Sequence, residues 1–234
     1  MRKAVLFDLD DTIYDHQHSR RSALASLMRA YPMIASQGLR KIESIHERHL
    51  QTTHSLVLAG KILPLDARHT RMRLLFSDLG VALSDDQLPE VEDLYRRTYD
   101  ENRRAVPGVI PIITALKKTL KIAIITNGLV VDQEEKIQLC GLDGKIDAIV
   151  ISEKVKIKKP DKEIFHFALS ELRVSPEETI VIGDSWKLDV LGARSAGIPA
   201  VWFNRYDERC PEPGSAIEVT SLEPVDHLIG ILAG

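Results

Sequence analysis

The sequence predicts an α/β protein: a doubly wound parallel sheet, forming a Rossmann-like core, with an inserted all-helical cap domain. Short apolar runs, typical of strands buried on both faces of a parallel sheet, alternate with stretches of helical periodicity over most of the chain. One long segment near the N-terminus interrupts this alternation and shows helical periodicity alone. We therefore predict that residues 1–15 and 105–234 form the core and that residues 16–104 form the cap.

The predicted strands are short apolar runs, each followed by a polar residue. They are residues 4–7, 121–126, 148–151, 179–183 and 200–203. Helical stretches lie between and after them, at about 109–119, 130–140, 161–172 and 187–196, with a polar surface loop at 205–216 and a final helix at 225–232. Strands that alternate with helices of this length build βαβ units, and the crossovers of such units are right-handed.

The inserted segment, residues 16–104, has apolar residues at helical spacing, as Leu24 and Leu27 illustrate. Breaks that contain Gly or Pro leave room for four helices. An all-helical insert after the first strand of an α/β domain is typical of a lid. We predict that its ends, near Asp15 and Ala105, act as hinges.

The composition is ordinary for a globular protein: 234 residues, 44% hydrophobic and 28% charged, with a net charge of -3. This charge favours neither a nucleic acid nor an anionic membrane as a partner. The two cysteines, Cys140 and Cys210, do not make a disulfide framework. The N-terminal apolar run is too short for a signal peptide or a membrane span. We expect a cytoplasmic protein without nucleic-acid or membrane partners, and the sequence leaves the oligomeric state open.

A group of acidic residues follows the first predicted strand. Asp8 lies at the carboxyl end of that strand, where ligands bind in doubly wound sheets, and Asp10 lies two residues further on. Residues two apart in extended backbone point the same way, and two carboxylates that face one site repel each other. Asp8 and Asp10 therefore predict a bound cation or a shared proton, whereas Asp11 is interpreted as an ordinary turn residue.

Two later segments also follow predicted strands. Thr126, Asn127 and Gly128 end the second strand, and a hydroxyl with the amides of a glycine turn can hold phosphate oxygens, although Asn-Gly is also a plain turn signal. Lys159 follows the third strand, and Pro160 keeps it out of helical geometry. Its ammonium suits a phosphate or a developing negative charge, and the alternative is one of several solvated lysines.

The fourth strand ends at Gly183 and is followed by Asp184 and Asp189. Glycine permits a close approach of the backbone, and Asp184 adds a third carboxylate at the edge where Asp8 and Asp10 lie. Asp189 falls in the first turn of the next predicted helix, where an acid also favours the helix dipole.

Taken together and in order, these four segments resemble the motifs of the haloacid dehalogenase-like (HAD) superfamily, in its phosphatase-type subgroup with a helical cap after the first motif. The matching segments are Asp8-Leu9-Asp10-Asp11-Thr12, Thr126-Asn127-Gly128, Lys159-Pro160, and Gly183-Asp184 with Asp189. The resemblance covers residues from about 3 to 204, and its four motifs are found in the expected order.

The resemblance implies roles for individual residues. It makes Asp8 the nucleophile and Asp10 the general acid/base, a residue that dehalogenases of the family generally lack. It assigns the phosphoryl oxygens to Thr126 and Lys159, with help from Asn127 and Gly128. It implies a Mg²⁺ cofactor held by Asp8, Asp184 and the carbonyl of Asp10, with Asp189 supporting the ion directly or through water.

The function expected from this resemblance is Mg²⁺-dependent hydrolysis of a small phosphomonoester through an aspartyl-phosphate intermediate. A phosphomutase of the same fold is the nearest alternative, and a non-catalytic phosphate-binding regulator is another. A dehalogenase is disfavoured by Asp10. Sugar phosphates, nucleoside monophosphates and phosphoglycolate all remain candidate substrates.

Overall fold

The computed structural model describes residues 1–234 apart from the side chain of Leu58. The chain divides into a sheet unit, Met1–Asp15 with Arg104–Gly234, and a helical unit, His16–Arg103. The structure therefore groups Arg104 with the sheet unit, one residue before the predicted start of the second core segment. The assignment of these units as catalytic core and cap stays a prediction.

The sheet unit is built on six described strands, all parallel, in the order β3-β2-β1-β4-β5-β6. The strands are β1 (Ala4–Phe7), β2 (Lys121–Thr126), β3 (Ala148–Ile151), β4 (Thr179–Gly183), β5 (Ala200–Phe203) and β6 (Ile217–Val219). This confirms the predicted doubly wound fold class and the five predicted strands. The sixth strand was not predicted, because its three residues are exposed or only partly buried and form no apolar run.

The described helices include six between β1 and β2, and the others lie between or after the later strands. They are α1 (His16–Ala30), α2 (Pro32–Ala35), α3 (Leu39–Leu58), α4 (Pro64–Asp78), α5 (Gln87–Glu101), α6 (Val109–Leu116), α7 (Val130–Leu139), α8 (Ser152–Val155), α9 (Lys162–Leu172), α10 (Leu191–Ser195) and α11 (Val225–Ala233). Among the described residues, no helix combines the length and apolar character that crossing a membrane requires.

The core of the sheet unit lies where α9 packs on one face of the sheet. Every residue of β1 is buried, as expected for a strand covered on both faces. Leu6 and Ala123, from neighbouring strands, pack in one apolar cluster with Ile164 and Phe165 of α9. This packing holds the carboxyl ends of β1 and β2 in a fixed register.

The predicted helix at 187–196 takes a different form. Trp186–Val190 is a π-helical turn, and only Leu191–Ser195 is α-helical. Ser185 precedes the turn, and its hydroxyl accepts a hydrogen bond from the backbone N–H of Leu188 at 3.2 Å. Single π-helical turns are frequently found at functional sites.

The helical unit consists of α1 to α5 and has its own apolar core. Helix α1 packs against α5, and α3 packs against α4. The structure adds the short helix α2 to the four predicted ones, and Pro32 at its start suits the first position of a helix. The buried core residues are Leu24, Leu27, Ile34, Ile42, Ile45, Met72, Leu75, Phe76, Leu79, Leu88 and Val91.

The two predicted hinge segments pair with each other within the sheet unit. The backbone N–H of Val106 donates to the carbonyl of Ile13 at 2.8 Å, and that of Asp15 donates to the carbonyl of Arg104 at 3.0 Å. The fully buried Asp15 carboxylate also accepts hydrogen bonds from Arg104 and Arg205, each at 3.0 Å. Backbone hydrogen bonds and the ion pairs of the buried Asp15 carboxylate therefore hold these two stretches of chain together.

Candidate active site

The candidate site lies at the carboxyl ends of the central strands. Asp8 follows β1, Thr126 ends β2, and Asp184 follows β4. Strands β1 and β4 are neighbours at the point where the strand order reverses, which is where doubly wound sheets bind ligands. The topology therefore brings together residues that are far apart in the sequence.

Three carboxylates meet at this edge of the sheet. One oxygen from each of Asp8, Asp184 and Asp189 lies within 4.8 Å of the other two. At this separation two like charges cost roughly 4 kcal/mol at an effective dielectric constant of 20. The three acids therefore need a compensating positive charge, or they must share protons.

Lys159 provides part of that charge. Its ammonium donates hydrogen bonds to Oδ1 of Asp8 at 2.5 Å and to Oδ1 of Asp189 at 2.7 Å. The exposed fraction is 4% for Lys159, 7% for Asp8 and 1% for Asp189, so all three groups are buried. Lys158, the preceding residue, is exposed, so the two neighbouring lysines differ in burial.

The backbone of Lys159 is held by the side chain of Asn127. The Asn127 amide donates to the carbonyl of Lys159 at 3.0 Å and accepts from its backbone N–H at 2.9 Å. The resemblance implies that Asn127 helps to hold the phosphoryl oxygens, and the structure adds this pair of hydrogen bonds from its side chain to Lys159. The neighbouring backbone N–H of Gly128 donates to Ser152 at 3.0 Å.

Asp189 is positioned by the π-helical turn and by Gly183. The backbone N–H of Ser185 donates to Oδ2 of Asp189 at 3.0 Å. A Cβ atom on Gly183 would lie 2.4 Å from the Asp189 carboxylate, which is a severe clash. Only glycine at this position permits the close approach of the acid to the end of β4.

Asp184 is held through its backbone. Its N–H donates to the Thr12 hydroxyl at 3.1 Å, and its carbonyl accepts from the Trp202 indole at 2.8 Å. Thr12 thus links the loop after β1 to the end of β4. Sequence reasoning did not identify the contribution of Trp202, because an apolar strand residue normally indicates core packing.

The proton affinities reflect this buried cluster. Burial raises the pKa of the Asp8 carboxyl to about 7, against the opposing effect of Lys159. Burial and the Asp8 and Asp189 carboxylates raise the pKa of Asp184 well above its usual value. Burial alone would lower the pKa of the Lys159 ammonium, but the carboxylates of Asp189 and Asp8 outweigh burial and raise it.

The cluster fits a divalent cation. Oδ2 of Asp8 is buried and has no hydrogen-bond partner among the described residues. When the three carboxylates are ionised, the single ammonium of Lys159 leaves two negative charges uncompensated. Carboxylate oxygens are the ligands that Mg²⁺ prefers, so Asp8, Asp184 and Asp189 could hold this ion.

The Asp10 carboxylate has different partners and does not belong to the three-carboxylate cluster. The Lys136 ammonium donates to its two oxygens at 2.7 and 3.0 Å, and the Gln133 amide donates to Oδ2 at 3.0 Å. The Gln133 amide also donates to the Thr126 hydroxyl. The carbonyl of Asp10 stays a predicted metal ligand.

Sequence reasoning did not identify Gln133 and Lys136. The two residues lie three apart on α7, the helix that directly follows the turn at Thr126, so they share one helix face. That spacing is a weak signal, because polar residues three apart are common on exposed helices. Gln133 is nevertheless buried, which is unusual for a glutamine.

The raised pKa of Asp184 predicts a stability effect of definite sign. A carboxyl with a higher pKa in the folded protein than in the unfolded chain stabilises the fold while protonated, and this stability is lost as the pH rises. We expect Asp184→Asn to raise the Tm of the protein in EDTA by about 3 °C at about pH 8 and by less at about pH 5. Thermal denaturation followed by circular dichroism measures the difference.

Asp15 is the matched control, because its environment lowers the pKa of its carboxyl group, whereas that of Asp184 is raised. Burial opposes its ionisation, but Arg205 and Arg104 outweigh burial and hold the pKa of Asp15 below its ordinary value. Asp15→Asn should therefore lower the Tm at about pH 8 and have less effect once the pH falls below the unfolded pKa of about 4. A lower Tm for Asp184→Asn at the higher pH would contradict this account of the cluster.

Comparison with models of known protein families identifies the family of this chain. The family model described as haloacid dehalogenase-like hydrolase matches residues 2–197, which is most of the sequence. The chain therefore belongs to the haloacid dehalogenase-like hydrolase family, as the four motifs predicted.

Individual relatives match over most of their length. The glyceraldehyde 3-phosphate phosphatase of Methanopyrus kandleri is 30% identical over 228 residues, 95% of this chain and 93% of that protein. The pyrimidine 5'-nucleotidase YjjG of Escherichia coli is 33% identical over 173 residues, 73% of this chain and 74% of that protein. The crystal structure of YfnB from Bacillus subtilis bound to magnesium has a TM-score of 0.70 and 26% sequence identity, and the match covers 97% of this chain and 98% of that one.

Proposed function

We propose that the protein is a Mg²⁺-dependent phosphatase that hydrolyses a small phosphomonoester through an aspartyl-phosphate on Asp8. The observation that carries this proposal is the buried contact of Lys159 with Asp8 and Asp189 beside Asp184, with Asp10 held separately two residues after Asp8. The relatives named as a phosphatase and a nucleotidase support the same reaction class. Residues 1–15 with 105–234 as catalytic core and 16–104 as cap are part of the proposal.

In the first proposed step, a carboxylate oxygen of Asp8 attacks the phosphorus atom and the bond from phosphorus to the ester oxygen breaks. The leaving alkoxide takes a proton from the Asp10 carboxyl group and departs as the alcohol. Thr126 and Lys159, together with Asn127, bind the phosphoryl oxygens, and the Lys159 ammonium stabilises the charge that develops there.

In the second step, a water molecule attacks the phosphorus atom of the aspartyl-phosphate. The Asp10 carboxylate takes a proton from this water, the bond from phosphorus to the Asp8 oxygen breaks, and inorganic phosphate leaves. The Asp8 carboxylate and the Asp10 carboxyl group are then ready for another turnover. One residue acts as acid in the first step and as base in the second, so its position matters in both.

Mg²⁺ held by Asp8 and Asp184, with support from Asp189, would offset the negative charge of these carboxylates and of the phosphate group. The structure of YfnB bound to magnesium supports this choice of ion. Since Lys159 alone leaves the cluster negative, a phosphate dianion would otherwise be repelled.

The first test is phosphate release from p-nitrophenyl phosphate with Mg²⁺ and with EDTA. We expect turnover that EDTA abolishes and Mg²⁺ restores, because the ionised cluster would repel the substrate without the ion. A panel of sugar phosphates, nucleoside monophosphates and phosphoglycolate then identifies the preferred ester.

Two outcomes would contradict the proposal. One is the absence of phosphate release from every ester of the panel with Mg²⁺ present. The other is the conversion of a sugar phosphate into its isomer, stimulated by a bisphosphate and without free phosphate, which would identify a phosphomutase.

A further inference from the structure

We infer that Lys136 and Gln133 form a positioning pair that holds Asp10 in place for proton transfer to the leaving group. This inference rests on the proposed function, because it assigns residues that act through its general acid/base. Neither residue belongs to the four motifs that identified the family.

The contacts of the pair are directed at Asp10 from one helix. The Lys136 ammonium bonds to both Asp10 oxygens and to Oε1 of Gln133 at 2.7 Å, and it lies 5.5 Å from the centre of the Tyr14 ring. The Gln133 amide nitrogen completes the arrangement through Oδ2 of Asp10. With contacts on both of its oxygens, the Asp10 carboxylate is fixed in orientation.

Gln133 also connects Asp10 to the proposed phosphate-binding segment. Its amide bonds to the Thr126 hydroxyl, and a Cβ atom on Gly128 would lie 2.9 Å from its side-chain carbonyl carbon. The glycine therefore leaves the space that Gln133 occupies. A side chain larger than that of glycine at residue 128 would therefore displace Gln133, whether or not Gly128 also contacts phosphate.

The pair is expected to affect the proton that Asp10 gives to the leaving group. When the Asp10 carboxyl group gives its proton to the leaving alkoxide, a carboxylate remains, and Lys136 and Gln133 donate hydrogen bonds to that carboxylate. A leaving group that is stable as an anion does not need this proton, whereas an alkoxide does. Loss of the pair should therefore harm esters of ordinary alcohols much more than esters of acidic phenols.

The test compares benzyl phosphate with p-nitrophenyl phosphate, which are similar in size and differ in leaving group. For Lys136→Met we expect kcat/KM to fall about 30-fold with benzyl phosphate and less than about 3-fold with p-nitrophenyl phosphate, because general acid catalysis contributes to the first ester alone. Lys136→Arg should recover most of the loss, since it keeps the charge and the donors. Should Lys136→Met fail to fold, Lys136→Gln serves the same comparison.

Gln138→Met on the exposed side of the same helix is the matched control, and it should leave both rates unchanged. Equal losses on the two esters, or no loss on either, would overturn the inference and leave the proposed function intact. Failure of the proposed function is recognised separately, because wild-type protein would then release no phosphate from either ester.

Discussion

Asp8→Asn should lower kcat for p-nitrophenyl phosphate by at least about 10⁴-fold, which corresponds to about 5 kcal/mol of lost transition-state stabilisation. Asparagine has nearly the size of aspartate and lacks the carboxylate oxygen that attacks phosphorus. The measurement is phosphate release at saturating Mg²⁺, with circular dichroism spectra to verify the fold.

The fold should survive this change. Burial disfavours the ionised form of Asp8, and the Lys159 ammonium keeps the Asp189 carboxylate as its ion-pair partner in this variant, so a neutral side chain at residue 8 should not cause a large loss of stability. Asp143→Asn, an equal change at an exposed aspartate of the sheet unit, should keep full activity. Activity above about 1% of wild type in a folded, pure Asp8→Asn sample would exclude the covalent mechanism.

The second large effect is expected for Lys159→Met, which removes the only ammonium that contacts the three-carboxylate cluster among the described residues. Removing one partner of a buried ion pair typically costs about 3–5 kcal/mol, because the remaining charges stay desolvated. We expect a loss of this size in the free energy of unfolding in EDTA at about pH 8, measured by urea denaturation, together with a loss of activity of about 10³-fold.

The neighbouring lysine offers a matched control. Lys158→Met makes the same chemical change at an exposed site and should alter the free energy of unfolding by less than about 0.5 kcal/mol. The Lys159→Met loss should shrink at about pH 5, because the carboxylates can then take up protons in place of the ammonium. Similar stability losses in the two variants would show that the contacts of Lys159 contribute little.

Much of the fold follows from local patterns in the sequence. Strands β1 to β5 are apolar runs, and their bounds agree with the predicted ones. The runs of β1, β4 and β5 are fully buried, as in a sheet covered on both faces, whereas β3 lies at the sheet edge and leaves Ile149 exposed. Strand β6 gave no such signal, because its residues are exposed at the edge of the sheet. The π-helical turn at Trp186–Val190 was also missed, since a helix of five residues carries too little periodicity to reveal its type.

Only some residues of the candidate site could be predicted without the family resemblance. Asp8 and Asp184 follow strands and Thr126 ends one, so the rule that ligands bind at the carboxyl ends of parallel strands already predicts that the three residues lie on one edge of the sheet. For Lys159 the residues alone do not favour one lysine of several, and the resemblance to the family selected it. The structure supplies a physical distinction, because this ammonium is buried against Asp8 and Asp189.

The class of fold, the family motifs and their order can be predicted from the amino-acid sequence, because these features depend on residues that are close together in the chain. Which polar side chains form hydrogen bonds with each other is seen only in the folded structure. Asp10 meets Lys136 and Gln133 from a distant helix, and Lys159 meets Asn127 from the end of another strand. Such contacts depend on the order of the strands in the sheet and on how the helices are placed against it. The local spacing of apolar residues predicts neither of these features.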